Sequence, residues 1–281
     1  MRSSGRILRP GDEEHVIARP VNPIEVAPFM GSVAQSRVSA LLLDYDGTLA
    51  PFCLNPQQAL PYPGVAALLQ EIIVNSRTRV VIITGRNAHE VIPLLALHPT
   101  PEIWGCHGLE RLRPDGTCET PRVEEPVLRA LADADRWVRR QGLHSRAEFK
   151  TAAIAIHWRG LEEAAAAATR SQVLLGWLPI AQSTPMELLE FDGGIEIRMP
   201  GFDKGDAVRT ILQEIGTEAP VAYLGDDITD ERAFLALGAR GLTVLVRPEW
   251  RETAAALWIR PPEGLQDFLT RWLQASARAK R

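Results

Sequence analysis

The run Ala40-Leu41-Leu42-Leu43, closed at once by Asp44-Tyr45-Asp46-Gly47-Thr48, constrains this chain more than any other segment. Continuous rather than alternating hydrophobicity over 40–45 fits a strand buried on both faces. Such strands belong to parallel sheets covered by helices. Similar runs span Arg79–Thr84 and Glu102–His107, with helical patterns between them at Gly64–Val74 and from Asn87 to about Leu95. That alternation predicts βαβ units in a doubly wound sheet. A hairpin turn is expected at Pro114-Asp115-Gly116.

Past residue 117 the pattern changes. Residues 124–141 form one amphipathic helix, followed by strands near 144–149 and 152–158 and an alanine-rich helix from Leu161 to about Leu175. Strands at Met186–Phe191 and Ile195–Arg198 complete this block, which predicts an antiparallel sheet covered on one face. The βα rhythm returns with a helix at 204–215, a strand at Val221–Leu224, a helix from about Thr229, a strand at Leu242–Val246 and a last helix near 264–277. The expected class is α/β: a doubly wound parallel-sheet core, residues 37–117 and 201–281, with an α+β domain, residues 118–200, inserted after its third strand. Residues 1–36 mix Arg, Pro, Gly and acids and read as a tail with at most local structure, without the apolar stretch of a secretory signal.

Composition removes several classes of function. A net charge of −4 argues against a basic nucleic-acid face. No apolar run approaches the roughly 20 residues of a membrane span. Cys53, Cys106 and Cys118 are odd in number and have no metal-binding spacing, which suits reduced thiols in a cytoplasmic protein. Among 31 basic residues only Lys150, Lys204 and Lys280 are lysines. Lysine that rare is worth locating, because an ammonium and a guanidinium are not interchangeable.

Four features lie at or just after the C-terminal ends of predicted parallel strands, where open α/β sheets bind ligands. Asp44 and Asp46, one residue apart, suit a nucleophile and an acid/base, although a plain Asp-Gly turn also accounts for Gly47. Thr84-Gly85-Arg86 offers a hydroxyl and a small turn to an oxyanion. Lys204 opens a helix whose N-terminus already favours anions, although a solvated helix charge looks the same in sequence. Asp226, Asp227, Asp230 and Glu231 crowd carboxylates that repel one another unless a cation sits among them; oxygen-only ligands select a hard ion such as Mg²⁺. Each signal alone is modest, but the sheet brings all four to one crevice.

These motifs, in this order, resemble the haloacid dehalogenase (HAD) superfamily of phosphotransferases, and within it the trehalose-6-phosphate phosphatases. The resemblance rests on Asp-Tyr-Asp-Gly-Thr-Leu (44–49), Thr-Gly-Arg (84–86), Gly-x-His-Gly-x-Glu (105–110), Glu-x-Lys (148–150) and His-Trp-Arg (157–159). It continues through Glu-Ile-Arg-Met-Pro (196–200), Asp-Lys-Gly (203–205) and Gly-Asp-Asp-x-Thr-Asp-Glu-x-x-Phe (225–234). Trp158, where that family usually shows Tyr, and the segment before Arg37 depart from it. Only 30 residues separate Thr48 from Arg79, whereas Thr84 and Lys204 lie 120 apart, so a cap fits only after the third strand.

The resemblance implies a Mg²⁺-dependent phosphatase for a small-molecule sugar phosphate, trehalose 6-phosphate. Asp44 would be the nucleophile, Asp46 the acid/base, and Thr84 and Lys204 the phosphate ligands. Asp44, the carbonyl of Asp46, Asp226 and Asp227 would hold the metal. Gly85, Arg86, His107, Glu148, Lys150, His157, Arg159 and Glu196 would face the sugars. Glu148 and Lys150 share one strand face, as do His157 and Arg159 on theirs; a solvated polar face is the plain alternative. Sucrose-, glucosylglycerol- and mannosylglycerate-phosphate stay open as substrates, and a non-catalytic sugar-phosphate-binding module is the other class of function. An association with a trehalose-6-phosphate synthase is not readable from this sequence.

Overall fold

The computed structural model describes residues 26–53 and 55–277. Before the insertion the chain lays down β1 (Ser39–Leu43), β2 (Thr78–Ile83), β3 (Glu102–Gly105), β4 (Glu110–Leu112) and β5 (Cys118–Glu119). The insertion carries β6 (Ala147–Lys150), β7 (Ala153–His157), β8 (Glu187–Phe191) and β9 (Gly194–Arg198), and β10 (Val221–Gly225), β11 (Leu242–Val246) and β12 (Leu257–Ile259) follow. The large sheet runs β12-β11-β10-β1-β2-β3-β4-β5 and the small one β6-β7-β9-β8. Every pairing from β12 to β3 is parallel, and β4 and β5 add an antiparallel edge through the expected hairpin.

Among the described residues eight α-helices accompany them: α1 (Val26–Gln35), α2 (Val65–Asn75), α3 (Ala88–Leu95), α4 (Glu125–Arg140), α5 (Glu163–Ser183), α6 (Lys204–Ile215), α7 (Glu231–Leu237) and α8 (Glu263–Ser276). The continuous run of β1 serves two cores at once. Leu41 and Leu43 pack with Leu69, Ile72, Leu265 and Trp272 on one face, while Ala40 and Leu42 pack with Val208, Ile211 and Phe234 on the other. That is the two-sided burial which its lack of alternation predicts. In the insertion, Ile154, Ile156, Ile195 and Ile197 face Val127, Val138, Val173 and Trp177, so α4 and α5 cover one side of the small sheet. Trp158 packs against that same apolar layer, away from the polar side.

Some expectations change. The segment read as a tail contains α1, whose Val26, Met30 and Val33 join the core beside α8; residues 1–25 lie outside the described residues. Pro28 and Gly31 mask its helical period in the sequence. The third strand stops at Gly105, because Cys106 (φ 49°) and His107 (φ 58°) turn left-handed. Helix α5 runs on to Ser183, past Pro179, and β12 is a three-residue edge strand too short to show a pattern. No helix among the described residues is long and apolar enough to cross a membrane.

Candidate active site

Asp44 follows β1 directly and is 3% exposed. Its Oδ1 accepts from Lys204 Nζ at 2.6 Å, and the same ammonium donates to Asp230 Oδ1 at 2.7 Å. The Thr48 hydroxyl lies 3.2 Å from both Asp44 Oδ2 and Asp226 Oδ1. Asp230 is anchored from behind by the Tyr223 hydroxyl (2.6 Å) and by the N–H groups of Asp226 and Asp227 (both 2.9 Å). Gly47, at φ +86°, lets the loop pass against Asp226; a Cβ there would collide with that carboxylate.

Charge in this cluster is out of balance. Asp44, Asp226 and Asp230 each offer an oxygen within 4.8 Å of the others, and the one ammonium among them is Lys204. Burial pushes Asp44 up to about 7 despite the opposing charge of Lys204. Burial, then the charges of Asp44 and Asp230, raise Asp226 well above the usual carboxylate range. Burial works against the Lys204 ammonium, but Asp230 and Asp44 more than offset it and raise its pKa. Excess negative charge, all on oxygen, fits a hard divalent cation. The donor set of Asp44, Asp226 and Asp230 therefore suits a hard divalent metal.

Asp227, expected among the metal residues, points elsewhere. Its carboxylate caps the next turn through Ile228 N (2.7 Å) and accepts from Asp192 N at 3.3 Å. Asp230 takes the inward position instead, because the 3₁₀ turn Ile228–Asp230 swings it back under the loop. Two arginines with no sequence signal fix this loop. Arg251 donates to the carbonyls of Asp226 (3.0 Å) and Asp227 (2.6 Å), and Arg247 reaches Asp192 Oδ2 at 3.0 Å. They grip backbone oxygens and a hairpin tip, which no spacing rule reports.

Asp46 is held by a two-pronged Arg86 contact, Nε to Oδ2 at 2.6 Å and Nη2 to Oδ1 at 2.5 Å. Thr84 is fully buried and its hydroxyl accepts from Arg86 N at 3.2 Å. His107 N donates to Thr84 O at 2.9 Å, so the left-handed turn of His107 is tied to the Thr84-Gly85 loop. The imidazole lies on Gly85: a Cβ there would sit 2.7 Å from Cε1 and 2.8 Å from Nε2. Burial, then Lys150, Lys204 and Arg198, hold His107 well below its usual pKa, as the neutral ring.

The small sheet turns its polar face to the core. Lys150 Nζ donates to Glu196 Oε2 at 2.6 Å, and His157 Nε2 pairs with Glu148 Oε2 at 2.8 Å. Ala153 and Ala155 on the intervening β7 share this face, and the Lys150–Glu196 pair spans above them. Glu196 is 1% exposed, far from the solvated face that polarity alone would suggest. Burial raises the Glu148 carboxyl, but Lys150, then the His157 hydrogen bond and the Arg86 charge, bring it down to about 2. Arg198, paired with Glu187 at 2.7 Å, extends this face and was not singled out in the sequence. Arg159 lies beyond the strand: its guanidinium sits 3.8 Å over the Phe52 ring and donates to Asp192 O. It bridges the two parts of the molecule rather than lining the polar face.

The model of the trehalose-phosphatase family matches residues 42–252. The chain belongs to the trehalose-phosphatase family. A trehalose-phosphate phosphatase of Mycobacterium ulcerans is 32% identical over 250 residues, covering 83% of this chain. The chain spans 60% of the length of that relative. Among solved structures, the C-terminal domain of the Candida albicans trehalose-6-phosphate phosphatase shares the fold with a TM-score of 0.75 at 18% identity, over 92% of this chain and 99% of that one. A trehalose-6-phosphate phosphatase related protein, 27% identical, gives 0.66 over 84% of this chain and 97% of its own. A HAD-type core with an inserted α+β cap is thus the trehalose-phosphatase architecture of this chain. Of the residues expected from sequence, Asp227 and Arg159 serve the junction between core and cap rather than the crevice.

Proposed function

We propose that this chain hydrolyses trehalose 6-phosphate to trehalose and phosphate, as the final step of trehalose biosynthesis in the cytoplasm. The observation that carries it is one crevice with two differently equipped walls. Asp44, Thr84 and Lys204 lie on the core side, and the half-buried Glu148 and the buried side chains of Lys150 and Glu196 face them from the cap. We assign the core to residues 26–119 and 201–277, two residues more than the sequence boundary because β5 pairs with β4 in the large sheet, and the cap to 120–200.

Asp44 attacks phosphorus as the nucleophile and forms an aspartyl-phosphate, which water then hydrolyses. Asp46 protonates the departing sugar oxygen, a poor leaving group without that proton, and afterwards takes a proton from water. The Arg86 fork fixes the direction of its carboxyl. Lys204 and the Thr84 hydroxyl bind phosphoryl oxygens. Asp44, Asp226 and the Asp46 carbonyl would hold Mg²⁺, with Asp230 behind them and Asp227 bracing the loop, and the metal would offset the charge of nucleophile and phosphate. Glu148, Lys150, His157 and Glu196 supply the mixed donors and acceptors that sugar hydroxyls need.

Phosphate release from trehalose 6-phosphate should exceed that from sucrose-, glucosylglycerol- and mannosylglycerate-phosphate, and EDTA should abolish it. Equal turnover across that panel would overturn the substrate assignment. Tight binding of trehalose 6-phosphate with no turnover in Mg²⁺ would instead make the chain a binding module.

A further inference from the structure

Of the three glutamates buried among the described residues, Glu102 is paired with Arg79 and Arg111 and Glu196 with Lys150, whereas Glu110 meets no cation. Glu110 closes the motif Gly-x-His-Gly-x-Glu and has no part in the chemistry above. A buried carboxylate without a counter-charge is costly, so the reason for its place lies in its hydrogen bonds. Its Oε2 accepts from Ala88 N at 3.1 Å, and its Oε1 accepts from the Thr151 hydroxyl. The first bond stays within the core and the second crosses to the cap.

Ala88 opens α3 directly after the segment Thr84-Gly85-Arg86-Asn87. The side chain of Asn87 does not cap this helix: its amide donates to Glu90, and its carbonyl accepts from the Cys106 thiol. Glu110 therefore supplies the acceptor missing at the helix start, where the helix dipole also favours a carboxylate. Cys106 N donates to Arg86 O at 2.7 Å and His107 N to Thr84 O at 2.9 Å, so residues 106–110 hold the phosphoryl loop at three points. Thr151 turns β6 into β7 and follows Lys150, whose ammonium donates to Glu196 at 2.6 Å. This contact lies beside the hinge, where Cys106, Leu109 and Ala152 pack with Val123, Met199 and Phe202 from the two chain segments that join cap and core. A bond so near a pivot moves little when a cap lifts, and it sets the orientation in which the cap returns.

We infer that Glu110 is a positioning residue that keeps the cap in register with the phosphoryl loop. One carboxylate oxygen fixes the start of α3, and with it Thr84, while the other fixes the turn that presents Lys150. The inference rests on the sugar-phosphatase reading of the crevice. Both partners are neutral donors, so the role needs two polar atoms at a fixed spacing rather than a charge. Glutamine meets that need: its carbonyl accepts from Ala88 N, and its amide donates to the Thr151 hydroxyl oxygen. Thr151 is exposed, so losing its hydroxyl costs the fold little, and a change in catalysis then reports register rather than stability.

The test compares Thr151→Val, Glu110→Ala and Glu110→Gln in KM for trehalose 6-phosphate and in inhibition by orthovanadate, which occupies the phosphoryl pocket without a sugar. Thr151→Val cuts the cap arm alone; it should raise KM about 5–20-fold and change vanadate inhibition less than about twofold. Glu110→Ala cuts both arms and should also weaken vanadate by more than about fivefold. Glu110→Gln should keep both quantities within about threefold of wild type. A smaller rise in KM for Thr151→Val, or vanadate weakened in parallel, would overturn the inference by removing the separate cap arm. Vanadate inhibition unmoved by Glu110→Ala would remove the loop arm, and Glu110→Gln outside its range would make the charge the active feature; either overturns it too. If Glu110→Ala does not fold, the other two variants decide. Should wild type prefer another sugar phosphate in the panel, only the substrate assignment falls, and KM is read on that sugar; if the chain binds without turnover, dissociation constants take the place of KM.

Discussion

Replacing Asp44 by Asn turns the charge imbalance of the crevice into a measurable stability. The carboxyl has an ordinary value of 3.8 and is pushed by burial up to about 7 in the folded protein, so the fold favours its protonated form. The sign follows: this stabilisation is complete below about pH 4 and is lost as pH rises through about 7. At 1.36 kcal/mol per unit, the loss is about 4 kcal/mol above pH 7, of which about 3 falls between pH 5 and pH 8. Asn has nearly the same shape and does not titrate. Urea unfolding of both proteins in EDTA, compared at pH 5 and pH 8, reads the effect: titrating groups outside the cluster cancel in the difference, and Asp226, raised in part by the Asp44 charge, adds to it in the same direction. Wild type should lose about 3 kcal/mol relative to Asp44→Asn over that range. Saturating Mg²⁺ at pH 8 should return most of it to wild type, about 4 kcal/mol at a thousandfold excess over the dissociation constant, and less to the variant. Parallel pH profiles in EDTA, or an equal gain from Mg²⁺ in both proteins, would refute the reasoning.

Other changes probe single contacts. Lys204→Arg keeps the charge, but Nζ sits 2.6 and 2.7 Å from two buried carboxylates, where a guanidinium fork has no room; kcat should fall by at least about 100-fold, and near-wild-type turnover would contradict this. Gly85→Ala sets a methyl against the His107 ring, so orthovanadate inhibition should weaken by more than about tenfold while the fold is retained, as read by circular dichroism. Arg247→Met removes the Asp192 contact across the junction of cap and core. That half-exposed pair is worth at most about 1 kcal/mol, so KM should rise up to about fivefold with kcat little changed; a collapse of kcat would assign Arg247 to the chemistry.

What could be read from the residues followed from how local each signal was. The strands of the large sheet announced themselves because burial on both faces leaves no polar alternation, and the carboxylates of 44–46 and 226–231 lie adjacent in the chain. Which acid turns inward was not legible. It depends on a 3₁₀ turn that brings Asp230 to Lys204 and sends Asp227 to the Asp192 hairpin. Arg159 was placed by strand parity, yet the strand ends at His157, so parity no longer applied. The left-handed turn at Cys106-His107 has no glycine at those two positions to mark it. Asp192, Arg247 and Arg251 act across long separations through carbonyls and a hairpin tip, contacts that leave no periodic trace.

The place of β1 between β2 and β10 also sets a schedule for synthesis. The cap strands β6 to β9 pair only with one another, so the insertion has all its sheet partners soon after it emerges. The centre of the large sheet does not. Thr48 and Asp226, which meet in the crevice, are 178 residues apart, roughly 10–40 s of translation at ~5–20 residues per second. Throughout that interval one edge of the most apolar strand stays open, with unpaired amides beside Leu41 and Leu43. A nascent chain stalled before β10 would therefore hold a folded cap on an unfinished, adhesive core, which makes the ribosome-bound intermediate, rather than the finished fold, the stage at which this architecture most needs a chaperone.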